Sequence, residues 1–235
     1  MDKAVCPNEE ERANYSLIGD IAVKMAHEVR NPLMTVRGYL QYLSRSVGEE
    51  NAVIFLDLLI PELDQINKTI EDFLLLSQPV VPKKRQVCIN TLIKQFSYLV
   101  SKDTANQDIN FQIHLARELD AYPLFIDPDQ MLQVFFSLFS NSIEAKDKPT
   151  MSICIKTKLH KNKACVYFAD NGRGMDKETR RQIFNPFFST KKVGMGLGLP
   201  IVKKIVTANG GRIKVKSCGK TGTIVTLFFA MPMNV

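Results

Sequence analysis

The residues that could do chemistry lie far apart in this 235-residue chain, and their types suggest how they work together. His27-Glu28-Val29-Arg30-Asn31-Pro32 offers an imidazole beside a carboxylate. Histidine has an ordinary pKa of about 6.5, so a mostly neutral, nucleophilic ring is available near pH 7. Glu28 could accept the Nδ1 proton or hold the ring, leaving Nε2 to attack. Much later, Asp170-Asn171-Gly172-Arg173-Gly174 follows an apolar strand-like run. A carboxylate at a strand end can accept the exocyclic amine of adenine, and Gly172 and Gly174 let backbone pass close to a flat base. Gly194-Met195-Gly196-Leu197-Gly198 opens a helical stretch, where amides and the positive end of the helix dipole favour phosphate. Between these clusters, Phe184-Asn185-Pro186-Phe187-Phe188 reads as a lid whose phenylalanines dock while Lys191 reaches a phosphate. Asn141, in an apolar helical run, needs a partner, and its carbonyl oxygen suits Mg²⁺ bridging phosphates. A phosphate acceptor and a nucleotide-binding apparatus thus share one chain.

Other chemistries fit less well. A zinc-protease helix needs a second histidine where Asn31 stands, and His114 and His160 are far away. The late glycines do not follow a first strand as a Rossmann fingerprint does, and no Gly-Lys-Ser/Thr makes them a P-loop.

The elements that must position these groups are readable from period. Ile18, Ala22, Met25, Val29, Leu33, Val36, Leu40 and Leu43 step by three and four, predicting a helix over 16–46. His27 falls about 200° round from Met25, away from that stripe. Pro32 lacks the amide that would bond one turn back, so a kink is expected beside the histidine, and another at Pro61. Gly48-Glu49-Glu50 turns the chain into a second helix reaching about Leu76. A two-helix hairpin cannot bury its own stripe, and pairing two hairpins into a four-helix bundle predicts a homodimer.

Prolines at 79 and 82 mark a linker over 79–86 on which the second domain could swing. Beyond it, alternation predicts strands at 109–115, 151–159, 163–169, 212–215 and 222–229. Helices are expected near 91–102, 129–145, 177–183 and 199–209. This is an α+β fold: a hairpin domain over 16–78 after a polar head at 1–15, then a two-layer α/β sandwich over 87–235.

Charge divides along the same line. Residues 1–78 hold 7 Lys/Arg against 13 Asp/Glu, whereas residues 79–235 hold 24 against 11. A basic domain attracts polyphosphate or nucleic acid alike. No helix carries a basic stripe with interleaved aromatics, so no nucleic-acid partner is expected. Cys6, Cys88, Cys154, Cys165 and Cys218 are scattered and read as reduced thiols of a cytoplasmic protein. No apolar stretch reaches the ~18–20 residues of a membrane span, and the polar start is no signal peptide.

Together, His27-Glu-x-x-Asn31-Pro32, Asn141, Asp170-x-Gly172-x-Gly174 and Gly194-x-Gly196-x-Gly198 resemble the catalytic core of bacterial two-component sensor histidine kinases, from residue 16 to about 231. The resemblance implies a dimeric phosphoacceptor hairpin followed by a Bergerat-type ATP-binding fold. It implies autophosphorylation of His27 from ATP, with Glu28 as acid/base, and transfer to a response-regulator aspartate whose receiver domain docks near His27. Asn141 would bind Mg²⁺, Asp170 the adenine amine, Gly172 and Gly174 would line the base, and Gly194, Gly196 and Gly198 would hold lid and phosphates. Asn31 matches the position that orients water on phosphoaspartate in members with phosphatase activity. Small inhibitory proteins on the bundle are further partners the resemblance suggests.

Two departures stand out. Ser137 replaces the usual first Asn of Asn-x-x-x-Asn, and Glu144 stands where many relatives are basic, so no phosphate contact is carried to it. The Phe-Phe-Ser-Thr-Lys run gives the chain a likeness to sporulation-type kinases. The fifteen residues before the first helix are too few for a sensor, so the chain reads as a cytoplasmic protein or the cytoplasmic part of a membrane-anchored kinase. The alternative is a phosphotransfer scaffold that does not bind ATP, which the intact Asp170 and glycines argue against.

Overall fold

From Val29 to Leu43, and again from Ile60 to Phe73, the described residues of the apolar stripes lie on helix. In the computed structural model, which describes residues 29–31, 33–45, 56, 59–101, 104, 108–191, 195–219 and 221–231, residues 29–31 are helical and helix α1 covers 33–44. Leu56 and Leu59 are in π-helical turns, and α2 runs Ile60–Ser77 with Pro61 in its first turn. Pro61 thus stands where π-helical Leu59 gives way to α-helix, a local break in helical geometry at the proline. The Arg37 Nε donates to Asp64 Oδ1 at 2.9 Å and an Arg30 guanidinium nitrogen to Glu71 Oε1 at 3.3 Å. Seven residues forward in one helix match seven back in the other, so the pair is antiparallel. The Gly48 turn, the upstream part of the first helix with His27 and Glu28, and Pro32 with its expected kink lie outside the described residues.

The chain divides into two compact units, Met1–Pro79 and Val80–Val235. In the second, β1 (Arg85–Val87) pairs antiparallel with β3 (Leu124–Ile126). Arg85 and Gln86, read as linker from composition, are therefore strand residues. Upstream, the Lys83 amide donates to Asp127 Oδ2 at 2.7 Å, tying the chain down before β1 begins. Helix α3 (Ile89–Leu99) lies between them in sequence, followed by β2 (Ile109–His114) and a 3₁₀ turn at Arg117–Ala121.

Helix α4 (Pro128–Glu144) starts where Asp127 accepts from the Asp129 and Gln130 amides at 3.0 and 3.2 Å, with Pro128 supplying a preset φ. Strands β4 (Met151–His160) and β5 (Lys163–Asp170), helices α5 (Lys177–Gln182) and α6 (Gly198–Ala208), and strands β6 (Arg212–Cys218) and β7 (Gly222–Ala230) complete the unit. The larger sheet has order β2-β4-β5-β7-β6, parallel only between β2 and β4, where α4 lies in the crossover.

One face of this sheet carries the core: Ile153, Ile155, Val166, Phe168 and Leu227 are buried on it. Phe96 of α3 meets Phe135, Phe136 and Phe139 of α4 and Phe111 of β2 edge-on, with centroids 5.1–6.2 Å apart. Such edge-to-face pairs add about 0.5–1.5 kcal/mol each beyond their burial. This is the expected α+β arrangement of a mixed sheet backed by helices on one side.

Candidate active site

Two helix ends are locked together so that two others meet. Asn209, after the last turn of α6, accepts the Asp127 amide at 2.8 Å and donates to Gln130 Oε1 at 2.8 Å, fixing that end of α6 to the start of α4. Helix α6 then runs antiparallel to α4, and its first residue, Gly198, arrives beside the last turns of α4. A Cβ built on Gly198 would stand 3.2 Å from Ser137 Oγ and 3.7 Å from Asn141 Nδ2. Ser137 and Asn141, one turn apart, thus face the amide-rich start of α6, where the helix dipole is positive.

Lys191 joins this group. Its ammonium donates to Asn141 Oδ1 at 3.0 Å and forms a close ion pair with Glu144. Ser140 Oγ donates to the other Glu144 oxygen at 2.8 Å. The partner that Asn141 needs is therefore the lysine expected to reach a phosphate. Glu144 was not expected in this role, though it lies three residues past Asn141 on the same helix face, a spacing that brings side chains together.

At the other end stands Asp170, the last residue of β5. Its Oδ1 accepts from the Gly172 amide at 3.0 Å and the Thr223 amide at 3.1 Å, and Ser142 Oγ lies 3.4 Å from Oδ2. The Ser142 hydroxyl has one hydrogen and sits closer to the Leu138 carbonyl, at 3.1 Å, so Oδ2 keeps acceptor capacity. Burial raises the Asp170 pKa, opposed by the Gly172, Thr223 and Ser142 hydrogen bonds. A half-buried carboxylate with one oxygen anchored and the other oxygen left with accepting capacity suits recognition of an amine on a flat base.

The glycines do structural work that spacing did not reveal. Gly174 has φ +66°, and a Cβ there would lie 2.2 Å from the Cys218 carbonyl. Gly196 has φ +68°, and its Cβ would lie 2.3 Å from the Phe188 carbonyl. Both are conformations and approaches that only glycine tolerates. Gly172 packs against Ala145, whose carbonyl accepts the Arg173 amide at 2.9 Å, so the loop after β5 is seated on the end of α4.

The phenylalanines of the expected lid do not all dock. Phe184 and Phe188 are half-buried, with the Lys203 ammonium 5.3 Å from the Phe184 ring centroid, but Phe187 is 60% exposed at φ 65°. A bulky residue in the left-handed region is strained, and this one is not docked.

His27, Glu28 and Gly194 lie outside the described residues. Asn31 is exposed on the first helix, its carbonyl accepting from Thr35 Oγ1 at 3.1 Å. Asn141, Lys191, Gly196 and Gly198 are brought together, and Asp170, Gly172 and Gly174 form a second group. Ser142 and Thr223, which hold Asp170, were missed by sequence reasoning. Thr223 faces Asp170 only through the β5–β7 register. Among the described residues there is no cluster of three or more His, Cys, Asp or Glu able to hold a metal. Any metal here would rest on the Asn141 amide oxygen together with a ligand's phosphates and water. That suits Mg²⁺, which keeps several waters and takes few protein ligands.

Comparison with known families follows the same division. Residues 19–79 match the model of the His Kinase A (phospho-acceptor) domain, and residues 126–233 that of the histidine kinase-, DNA gyrase B- and HSP90-like ATPases. The chain is 33% identical over 92% of its length to the signal transduction histidine-protein kinase AtoS of Escherichia coli (strain K12), covering 35% of that protein. It is 31% identical over 91% of its length to sporulation kinase C of Bacillus subtilis (strain 168), covering 49% of it. The chain thus spans between a third and half of these relatives. Among solved structures, full-length ShkA in complex with AMPPNP aligns over 92% of this chain and 46% of its own, with TM-score 0.79 and 20% identity. The histidine kinase ThkA in complex with the response regulator TrrA aligns over 93% of this chain and 63% of its own, with TM-score 0.66 and 24% identity. At these identities the two structures show a shared fold. With a phosphoacceptor-domain match at one end, a kinase-type ATPase match at the other, and kinase relatives spanning both, the chain belongs to the sensor histidine kinases of two-component systems.

Proposed function

We propose that this chain phosphorylates its own His27 from ATP and passes the phosphoryl group to an aspartate of a response regulator. The observation that carries this is the meeting of Asn141, Lys191 and the start of α6. An ammonium, a hard amide oxygen and helix-start amides together suit a polyphosphate, and Asp170 offers an acceptor suited to its base. Mg²⁺ held by Asn141 would neutralise phosphate charge when bound. Lys191 would exchange its Asn141 and Glu144 contacts for phosphate oxygens.

In the transfer step, His27 Nε2 forms a bond to the γ-phosphorus while the bond to the bridging oxygen breaks, leaving ADP with the electron pair. Glu28 stabilises the charge arising on the ring or takes the Nδ1 proton. Reaction requires the γ-phosphorus to come within about 3–3.5 Å of Nε2. Residues 79–82, neither helix nor strand and followed by the Lys83 anchor, are the stretch on which the second domain would move. A first domain ending near residue 78 and a second already tied down at Lys83, before strand β1, fit this reading.

The exposed stripe of Val29, Val36, Leu43 and Ile66 supports a homodimer through the hairpin, and the ThkA–TrrA complex supports a receiver domain as partner. Asn31, exposed four residues after His27, would orient water in any phosphatase step on that partner. No described helix is long and apolar enough to cross a membrane. Use of ATP places the reaction on the cytoplasmic side.

Incubation with γ-labelled ATP and Mg²⁺ tests the proposal. Acid-labile, alkali-stable label should appear on the wild type and vanish in His27→Gln. Label that persists in that variant would refute the acceptor, and absence of label on the wild type would refute the kinase reading.

A further inference from the structure

The larger sheet has a second face, opposite the one that carries the core and Asp170. Side chains alternate along a strand, and paired residues of neighbouring strands point the same way. On the outer face the register sets Lys156, Tyr167, Thr226 and Lys214 in one row across β4, β5, β7 and β6. The next row runs Lys158, Cys165, Phe228 and Arg212, and a third ends Ala169, Ile224 and Lys216.

Cations therefore flank both sides of a central strip. Lys156, Lys158, Arg212, Lys214 and Lys216 are all exposed, and no Asp or Glu stands on this face of the five strands. Among the described residues none of these cations is paired with a carboxylate. Like charges side by side on a sheet repel. The chain has 24 carboxylates to intersperse and places none of them here. Between the cations of these three rows the exposed surface is mainly apolar: Ile224 is 41% exposed, Tyr167 and Phe228 are half-buried, and Thr226 and Cys165 are buried among them, while Lys163 adds a cation at the next row of β5. A purely solvated face has no need of that strip, and a phosphate backbone alone would not cover it.

The dimensions select one occupant. Strands β4 and β6 are three strand spacings apart, about 14 Å. An α-helix with its side chains is about 10–12 Å across. Arg212 to Lys216 spans about 13 Å of strand, the length of roughly nine helical residues. We propose that this sheet face docks an acidic amphipathic helix of a partner protein, its apolar side on Tyr167, Ile224 and Phe228 and its carboxylates against the two rows of cations. The site is on the opposite face from the nucleotide groups and does not depend on their assignment.

Fluorescence anisotropy of the full chain against a labelled 16-residue Glu/Leu/Ala amphipathic peptide tests this, with a scrambled peptide of the same composition and a 15-nucleotide oligo-dT as comparisons. The amphipathic peptide should bind saturably and at least tenfold more tightly than the scrambled one. Lys156→Glu/Lys214→Glu should weaken it at least tenfold, Lys156→Gln/Lys214→Gln by about threefold or more, and Ile224→Thr by about threefold. Circular dichroism and melting temperature of the neutralised variant should match wild type, keeping a binding loss distinct from misfolding. Equal binding of both peptides, affinity unaffected by the neutralised pair, or tighter binding of oligo-dT that the same changes abolish would each overturn the proposal.

Discussion

In the helical hairpin, Val29, Val36, Leu43 and Ile66 are 43–46% exposed, whereas Phe96, Phe135 and Phe168 of the second unit are at 2% or less. Ile60 is the one buried residue described in the first unit. Both regions are rich in apolar residues, so composition does not explain the contrast. Geometry does. Two helices touch along a line, and an apolar stripe wider than that line stays uncovered until another helix pair meets it. A sheet offers a broad surface that helices of its own chain can cover. The hairpin is consequently the part whose stability should depend on concentration, and the second unit the part that stands by itself.

The largest test of this contrast is Phe96→Ala. Removing the ring that contacts four other phenylalanines on α4 and β2 should cost about 3–5 kcal/mol, read as a fall in the concentration-independent thermal transition. A loss below about 1 kcal/mol would mean that the aromatic cluster repacks freely. Val36→Glu attacks the other side. It should raise the dimer dissociation constant at least tenfold by sedimentation velocity, about 1.4 kcal/mol or more, and leave the second unit's transition in place. An unchanged dimer would show that this stripe is not the interface.

A subtler prediction concerns pH. Burial raises Asp170 above its ordinary 3.8, so its neutral form is the one folding favours. The stability it contributes is full below 3.8 and lost as pH rises through its folded value. Asp170→Asn keeps an oxygen for the Gly172 and Thr223 amides and removes the charge. The variant should melt above wild type at pH 7, with the difference shrinking towards pH 4, while binding of an ATP analogue falls. A melting difference independent of pH would exclude the charge as its cause. Smallest is the Arg37–Asp64 pair, half-exposed and open to screening. A double-mutant cycle should return about 0.2–1 kcal/mol, diminishing with salt.

Legibility followed the same division between local and assembled features. Alternation located β2, β4, β5 and β7 to within a residue or two, because each lies with one face on a core that demands apolar side chains at every second position. Strands β1 and β3 left no pattern, being three residues each and meaningful only as partners. Strand β6 was read as ending at Val215 yet continues to Cys218, since its last residues are held by pairing with β7. Asp170, Asn141 and the late glycines were visible as residue types in suggestive places. Their partners were mixed: Glu144 was within reach of helical spacing, but Thr223 stands 53 residues from the carboxylate it holds.

Local chemistry along the chain determined that an imidazole, a strand-end carboxylate and helix-opening glycines coexist, and where the longer strands and most of the helices run, because period and backbone freedom are properties of neighbouring residues. Only the tertiary structure decided that Lys191 would find Asn141 and Glu144, that Asp170 would be anchored from β7, and that one sheet face would gather cations without a carboxylate. Those are matters of register and helix crossing. They arise when segments far apart in sequence compete for the same core, and no local pattern encodes the outcome.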